Sequence, residues 1–279
     1  PSHGAIIREA MAKAMPDIPV LGYLSHIEDL NLPSRHLGLV QASEHQDLPA
    51  ILDKAANWID SNLDINDLFA MAGPTKTAEN ASYRAPLQPL GQRIAIACDA
   101  AFSFTYPHVL EGWRNAGASI DFFSPLADQG PRLDADAVYL PGGYPELYAG
   151  LLAANRVFSD TMSAARDRGA AIFGECGGYM VLGEKLTSEN GVQHSMLGFL
   201  PVQTSFSKRK LKLGYRKVRT VSRSPLGPIG TIFRGHEFHY AIVAAKTKAQ
   251  PLFQAYNAAG KDMGKMGAVH RRVAGSFIH

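Results

Sequence analysis

The sequence predicts an α/β fold built on a parallel sheet with β-hairpins added to it. Three observations carry that expectation. From Gln92 onward, short apolar runs alternate with helical patterns, and Gly or Pro marks many of the changes. The intervening helical patterns are long enough to cross from one parallel strand to the next, with helices on both faces of the sheet. After about Gly198 the texture changes to hairpins, over residues 199–245.

The elements follow in order. Residues 93–97 (RIAIA) form a strand, 106–116 a helix closed by Gly117, and 119–123 the next strand. Residues 137–140 (AVYL) are a third strand, running into Pro141-Gly142-Gly143. Residues 147–168 are largely helical and stop at Gly169, and 170–173 make a fourth strand. The run 273–278 is a last short strand. Upstream, 18–24 (IPVLGYL) reads as a buried strand, and 50–69 as one or two helices broken near Leu63-Asp64. Residues 73–91, with Pro74, Pro86 and Pro89, read as a linker.

Composition narrows the class of protein. With 46% hydrophobic and 19% charged residues among 279, the chain has too much apolar material for a disordered segment. Its 26 Gly and 17 Pro follow no short period, which excludes a fibrous protein. No run approaches the roughly 18 to 20 apolar residues that span a bilayer, so no membrane partner is expected. Two cysteines, Cys98 and Cys176, cannot frame a chain of this length with disulfides, and a cytoplasmic setting is expected. Pro1 is not an initiator Met and the opening residues are not a signal peptide, so a fragment is expected. Net charge is only +3, but residues 208–223 hold eight Lys and Arg with no acidic residue. No aromatic pattern interleaves these charges, and nucleic acid is not expected as a partner. Two readings remain for this basic run. It binds an anionic substrate, or it is the solvent face of a hairpin whose Lys residues protect an edge strand.

The sharpest chemical signal is Gly174-Glu175-Cys176-Gly177-Gly178, between an apolar strand and a helical pattern. Small residues flanking a nucleophile at a strand-to-helix turn mark a nucleophile elbow. The helix N-terminus there favours thiolate. Cys98 ends a strand with no glycine beside it and reads as structural. Pro141-Gly142-Gly143-Tyr144-Pro145-Glu146 follows another strand of the same sheet, where open α/β sheets bind ligands. Gly143 or Tyr144 can supply one amide donor to a tetrahedral oxyanion, and Gly177 another. A cysteine nucleophile needs a base. The candidates are His236 and His239 in RGHEFHY and His279 in SFIH, and spacing alone leaves all three open.

Taken together, LPGGYPELY (140–148), GECGGYM (174–180), LGYR (213–216) and RGHEFHY (234–240) resemble the class I glutamine amidotransferase domain of the corrin a,c-diamide synthase family. VLGYL (20–24) and PSRHLGL (33–39) resemble the end of that family's ATP-binding domain. The resemblance implies residues 1–72 as the remnant of a P-loop-type ATP-dependent synthetase domain, 73–91 as linker and 92–279 as the amidotransferase domain. It implies glutamine hydrolysis at Cys176 with His279 as base, and His236, Glu237 and His239 as supporting residues. Ammonia then passes to an ATP- and Mg²⁺-dependent site that amidates carboxylates a and c of a corrin polycarboxylate. Candidate substrate-binding cations are Arg35, Lys208, Arg209 and Arg216.

Two departures from the family pattern stand out. No G-x-x-x-x-G-K-[ST] phosphate loop occurs in the chain, so ATP binding falls to a further segment in cis or in trans. Cys98 stands where an Arg is expected. No metal ligands are identified, and a homodimer is left open. The alternatives are a related amidase acting on another tetrapyrrole (cobyric acid synthase or the nickel-sirohydrochlorin type) and a non-catalytic binding module of the same fold.

Overall fold

The computed structural model describes residues 2–32, 34–35, 38–73, 87–246 and 249–279. The chain divides into two compact units, Pro1–Ser82 and Tyr83–His279. In the first unit, helix α1 spans His3–Ala14, and the two-residue strands β1 (Ser34–Arg35) and β2 (Gly38–Leu39) pair antiparallel. Helices α2 (Leu48–Asn62) and α3 (Ile65–Met71) follow, separated where the helical pattern breaks. Asp64 caps α3, its carboxylate accepting from the Asp67 amide at 3.0 Å.

The strand expected at 18–24 does not form. This segment makes a single bridge, Gly22 to Leu63, and Ile18, Val20 and Leu24 stay exposed. An apolar run becomes a buried strand only beside neighbours that pair with it. Among the described residues of this unit the β1–β2 ribbon is the only sheet. Most of the expected linker, residues 74–86, lies outside the described residues.

The second unit carries the predicted α/β pattern. Its elements run β3 (Arg93–Ala97), α4 (Pro107–Asn115), β4 (Ser119–Phe123), β5 (Ala137–Leu140), α5 (Ala149–Ala154), α6 (Arg156–Asp167), β6 (Ala171–Glu175) and α7 (Gly177–Leu182). Then come β7 (Lys185–Thr187), β8 (Gln193–Ser195), β9 (Val202–Ser205), β10 (Lys212–Thr220), β11 (Ile232–His239) and β12 (Ile242–Lys246). The chain continues through β13 (Phe253–Asn257), β14 (Asp262–Met266), β15 (Ala268–His270) and β16 (Val273–Ser276). The core sheet has the order β15-β16-β6-β5-β3-β4, parallel except for the β15–β16 hairpin. The long helical stretch expected at 147–168 is two helices, broken at Asn155. Its side-chain amide donates to the Pro125 carbonyl at 2.7 Å instead of continuing a helix.

Alternation along the core strands sorts side chains into two apolar layers. Ala95, Ala97, Val138, Leu140 and Ile172 face the layer of α5, α6 and α7, with Phe158 and Met162 fully buried against them. Ile94, Ile96, Tyr139 and Phe173 face the other way, toward α4 and toward Val218, Phe253 and Ala255 of a second sheet. That second sheet is antiparallel, ordered β11-β10-β13-β14. A third, ordered β12-β9-β7-β8, flanks the first layer. The basic strand β10 therefore lies inside its sheet, between β11 and β13, so its cations protect no edge.

Candidate active site

The site is assembled at the carboxyl ends of the parallel strands. Strand β6 is buried along its whole length and ends at Glu175; the chain turns at Cys176 and enters α7. Cys176 is fully buried, with φ 49° and ψ −102°, a conformation an L-residue holds only when its surroundings impose it. The flanking glycines permit that turn. A Cβ at Gly174 would stand 2.6 Å from Leu182 Cδ1, and one at Gly178 only 1.9 Å from the Leu140 carbonyl oxygen. The Cys176 amide donates to the Ser276 carbonyl at 2.8 Å, and the Gly178 amide to that of Pro141 at 3.1 Å. These bonds fasten the elbow to β16 and to the loop after β5.

The base candidate arrives by register. Strand β16 pairs parallel with β6, Ser276 opposite Glu175, so the residues after Ser276 continue past the elbow. Ile278 bridges to Glu237, and His279 exchanges backbone hydrogen bonds with His236 at 2.8 and 3.0 Å. Gly235 makes this closure feasible, because a Cβ there would lie 2.0 Å from the His279 carbonyl oxygen. His279 Nδ1 stands 3.1 Å from Glu175 Oε1 and 3.3 Å from the Tyr106 hydroxyl. A Cβ at Gly142 would meet His279 Cε1 at 3.2 Å and Cys176 Cβ at 3.5 Å, which places imidazole and thiol side by side.

The electrostatics follow from these neighbours. Burial acts to lower the His279 pKa, but Cys176 and Glu175 together outweigh it and push it up to about 10. His279 Nε2 is buried without a regularly aligned hydrogen-bond partner, and Glu175 occupies the Nδ1 side. Tyr139 donates to Glu175 Oε2 at 3.3 Å. Burial first, and then the Glu175 charge, hold the Tyr106 and Tyr139 hydroxyls far above their ordinary range. His236 stacks on His279 at 4.8 Å, and burial followed by the neighbouring imidazole lowers its own pKa.

The amide donors lie close together. A Cβ at Gly177 would stand 3.1 Å from the Gly143 nitrogen, and one at Gly143 would strike the Ala101 carbonyl oxygen at 2.2 Å. Asp99 shapes that wall: its carboxylate accepts from the Ala101 amide, the Ser124 hydroxyl and the Leu126 amide at 2.8 to 2.9 Å. Tyr144 is buried, its ring edge-on to Phe104. Cys98 is exposed rather than part of the core, and partial burial followed by the Asp99 charge raises its thiol pKa.

His239, Glu237 and Arg216 form a separate buried cluster. Arg216 donates to Glu237 Oε2 from Nε at 2.9 Å, with Nη2 at 2.7 Å. His239 Nε2 lies 2.8 Å from Glu237 Oε1, and Nδ1 lies 2.8 Å from the Ala241 carbonyl. Burial acts to raise the Glu237 pKa, but its bonds to His239 and Arg216 bring it below the ordinary value. Both nitrogens of His239 face acceptors, so it has no free nitrogen with which to take a proton from a thiol.

Two of the four candidate substrate cations are engaged elsewhere. Arg216 is buried and paired with Glu237; it shares a phase with Val218 and Thr220 on the inner face of β10. Arg209 pairs with Glu189. Lys208 is exposed, and the side chain of Arg35 lies outside the described residues. Sequence reasoning misses Glu175. Its signal is an ionisable residue closing a strand whose other positions are apolar or glycine.

A buried cysteine in a strained strand-to-helix turn, beside an imidazole backed by a carboxylate, defines an elbow-type thiol site on an open α/β sheet. Comparison with known proteins then gives the family. The profile of the CobB/CobQ-like glutamine amidotransferase domain matches residues 93–279, and the chain belongs to that family. It is 49% identical to a protein of Sinorhizobium sp over 278 residues and 47% identical to one of Brucella abortus over 281, both named hydrogenobyrinate a,c-diamide synthase. A Rhizobium meliloti protein of the same name is 49% identical over 281 residues. These alignments cover 99 to 100% of this chain but 63% of each relative, so the chain spans less than two thirds of their length. Among the described residues, no helix is long and apolar enough to cross a membrane.

Proposed function

We propose that this chain is the glutaminase-bearing part of an ATP-dependent corrin a,c-diamide synthase of cobalamin biosynthesis. Its relatives are named for hydrogenobyrinate, and the carrying observation is the strained, buried Cys176 beside the His279–Glu175 pair. In this reading the Cys176 thiol gives its proton to His279, and the thiolate sulfur attacks the side-chain amide carbon of glutamine. The amides of Gly143 and Gly177 hold the resulting oxyanion, with Tyr144 fixing the loop that carries the former. Protonated His279 passes its proton to the departing nitrogen, ammonia leaves, and a glutamyl thioester remains. Water, deprotonated by His279, cleaves the thioester to glutamate and restores the thiol. Glu175 holds the imidazole by its Nδ1 side throughout, the part played in many triads by a residue elsewhere in the chain.

The acceptor step requires ATP and Mg²⁺ in such synthases. The described residues do not fit those groups: they contain no cluster of His, Cys, Asp and Glu able to hold a metal ion, and the sequence has no phosphate loop. We therefore assign ATP and Mg²⁺ binding to none of the described residues. Residues 1–72 are read as the end of the synthetase domain that performs it.

The test is covalent labelling by a glutamine-analogue diazoketone with peptide mapping. Label on Cys176 but not Cys98, blocked by excess glutamine, is the expected result. A folded protein that takes no label at Cys176 would overturn the reading.

A further inference from the structure

The outer face of the antiparallel sheet carries a group of cations that the thiol chemistry does not use. Strand β10 is interior, so its exposed residues do not guard an edge. Register places Lys217 opposite Arg234 on β11 and opposite Tyr256 on β13, with Arg219 opposite Ile232 and Gln254. Cross-strand partners share a face, and like charges placed directly opposite destabilise a sheet. Here that arrangement is left uncompensated. Among the described residues, Lys217, Arg219 and Arg234 have no carboxylate partner, whereas Arg93, Arg132, Arg166 and Arg209 each have one. The acidic residues of this sheet are engaged elsewhere: Glu237 faces inward against Arg216 and His239, and the Asp262 carboxylate, opposite Tyr256 at the far edge, accepts from Gln254 and the Gly264 amide.

The same face exposes apolar and aromatic surface. Tyr215 is 77% and Leu213 63% exposed, in phase with Lys217 and Arg219. Tyr215, Lys217, Arg219, Ile232, Arg234 and Tyr256 line a groove of about 670 Å³. Ile232, Arg234 and Gly235 also line an adjoining cavity of about 440 Å³ whose wall includes Glu175, His236 and His279. The two cavities therefore share part of edge strand β11.

Resting on the amidotransferase reading above, we infer that this groove is the binding site for the acceptor: a macrocyclic polycarboxylate whose apolar ring lies on Tyr215 and Tyr256 while its carboxylates engage Lys217, Arg219 and Arg234. Cations with no carboxylate partner, arranged around the exposed ring of Tyr215 and the half-buried ring of Tyr256, match a ligand with an apolar body and an anionic rim.

The test is a spectroscopic titration of the full chain with hydrogenobyrinate, with its neutral methyl ester in parallel. Wild type binds the acid and not the ester. The double variant Lys217→Gln/Arg234→Gln weakens binding about a hundredfold, roughly tenfold for each charge-assisted hydrogen bond removed. Arg132→Gln, an exposed and paired cation elsewhere, leaves binding unchanged. The double variant also unfolds at a slightly higher temperature than wild type, since a repulsion is removed. Equal binding by wild type and the double variant overturns the site, as does binding of the ester as tightly as the acid. A poly-glutamate peptide that binds as tightly as the macrocycle overturns it in favour of an acidic protein surface. Diazoketone labelling of the same samples separates the two readings. Labelled protein that does not bind the acid overturns this groove alone. Protein that binds the acid but takes no label overturns the glutaminase reading and supports the groove.

Discussion

Two buried histidine–carboxylate pairs lie within one domain, and they differ in what is left over. His239 has Glu237 at one nitrogen and the Ala241 carbonyl at the other, while Glu237 is further held by Arg216. His279 has Glu175 on its Nδ1 side only, and its Nε2 has no regular partner beside the thiol. The first arrangement is closed: each strong donor meets an acceptor. The second is open on the side that faces Cys176. In the proposed reaction only the second arrangement leaves a nitrogen with which to take a proton from the thiol. The two pairs are also in mechanical contact, since the His239 ring stacks at 3.9 Å on Phe277, two residues before His279.

The difference between the pairs breaks most sharply at the histidines themselves. His279→Ala should lower glutamine hydrolysis by about a thousandfold, within the usual range for removing a general acid–base, and leave urea unfolding nearly unchanged. His239→Ala should do the reverse, destabilising by about 3 kcal/mol because Glu237 loses a buried partner while the folded fraction keeps its turnover within tenfold. Exchanged outcomes in steady-state and denaturation assays would reverse the assignment of the base.

Glu175→Gln comes next, with an expected fall of about a hundredfold in kcat and little change in KM, because the side chain orients the imidazole without touching glutamine. A pure KM effect would move Glu175 to the substrate pocket.

The two clusters should also separate by pH. The raised pKa of His279 means its contribution to stability is complete below about pH 6.5, the ordinary imidazole value, and is lost as pH rises through about 10. The depressed Glu237 pKa gives the opposite sign: its contribution is present above the ordinary carboxylate range and fades as pH falls through its folded value. Thermal melts of His279→Gln should lose the alkaline slope and keep the acid one.

The smallest effect tests strain at the elbow. Cys176→Gly removes both the thiol and the left-handed penalty. It should stabilise the fold by about 1 kcal/mol, a rise of roughly 2 to 4 °C in Tm for a domain of this size.

Legibility from the sequence tracks how local each feature is. The elbow is readable because its requirements fall within five consecutive residues, Gly174 to Gly178. The choice among three histidines is not readable from spacing, since register between β6 and β16 and the closure of His279 onto His236 decide it. Only the family resemblance favours His279. Glu175 escapes because nothing in its spacing ties it to His279, about a hundred residues away, which only the β6–β16 register brings to its side. Composition alone misplaces Arg216, because a basic run says nothing of which face each cation takes. Its phase with Val218 and Thr220 places it inside, while Lys217 and Arg219 point out. The segment 18–24 has the apolar run of a buried strand but no neighbouring strands to receive it, and pairing is not a local property.

The bond from the Cys176 amide to the Ser276 carbonyl has a further consequence. Cys176 and His279 are about a hundred residues apart in sequence, so the contact between them is one of high contact order. The hydrogen that would report this meeting belongs to the backbone of Cys176 itself. With β16 docked on β6, that amide is sealed against exchange with solvent; any opening that lifts β16 away frees the amide and carries His279 off with it. The exchange rate at this one position is therefore a gauge, built into the chain, of the fraction of molecules in which thiol and imidazole stand together.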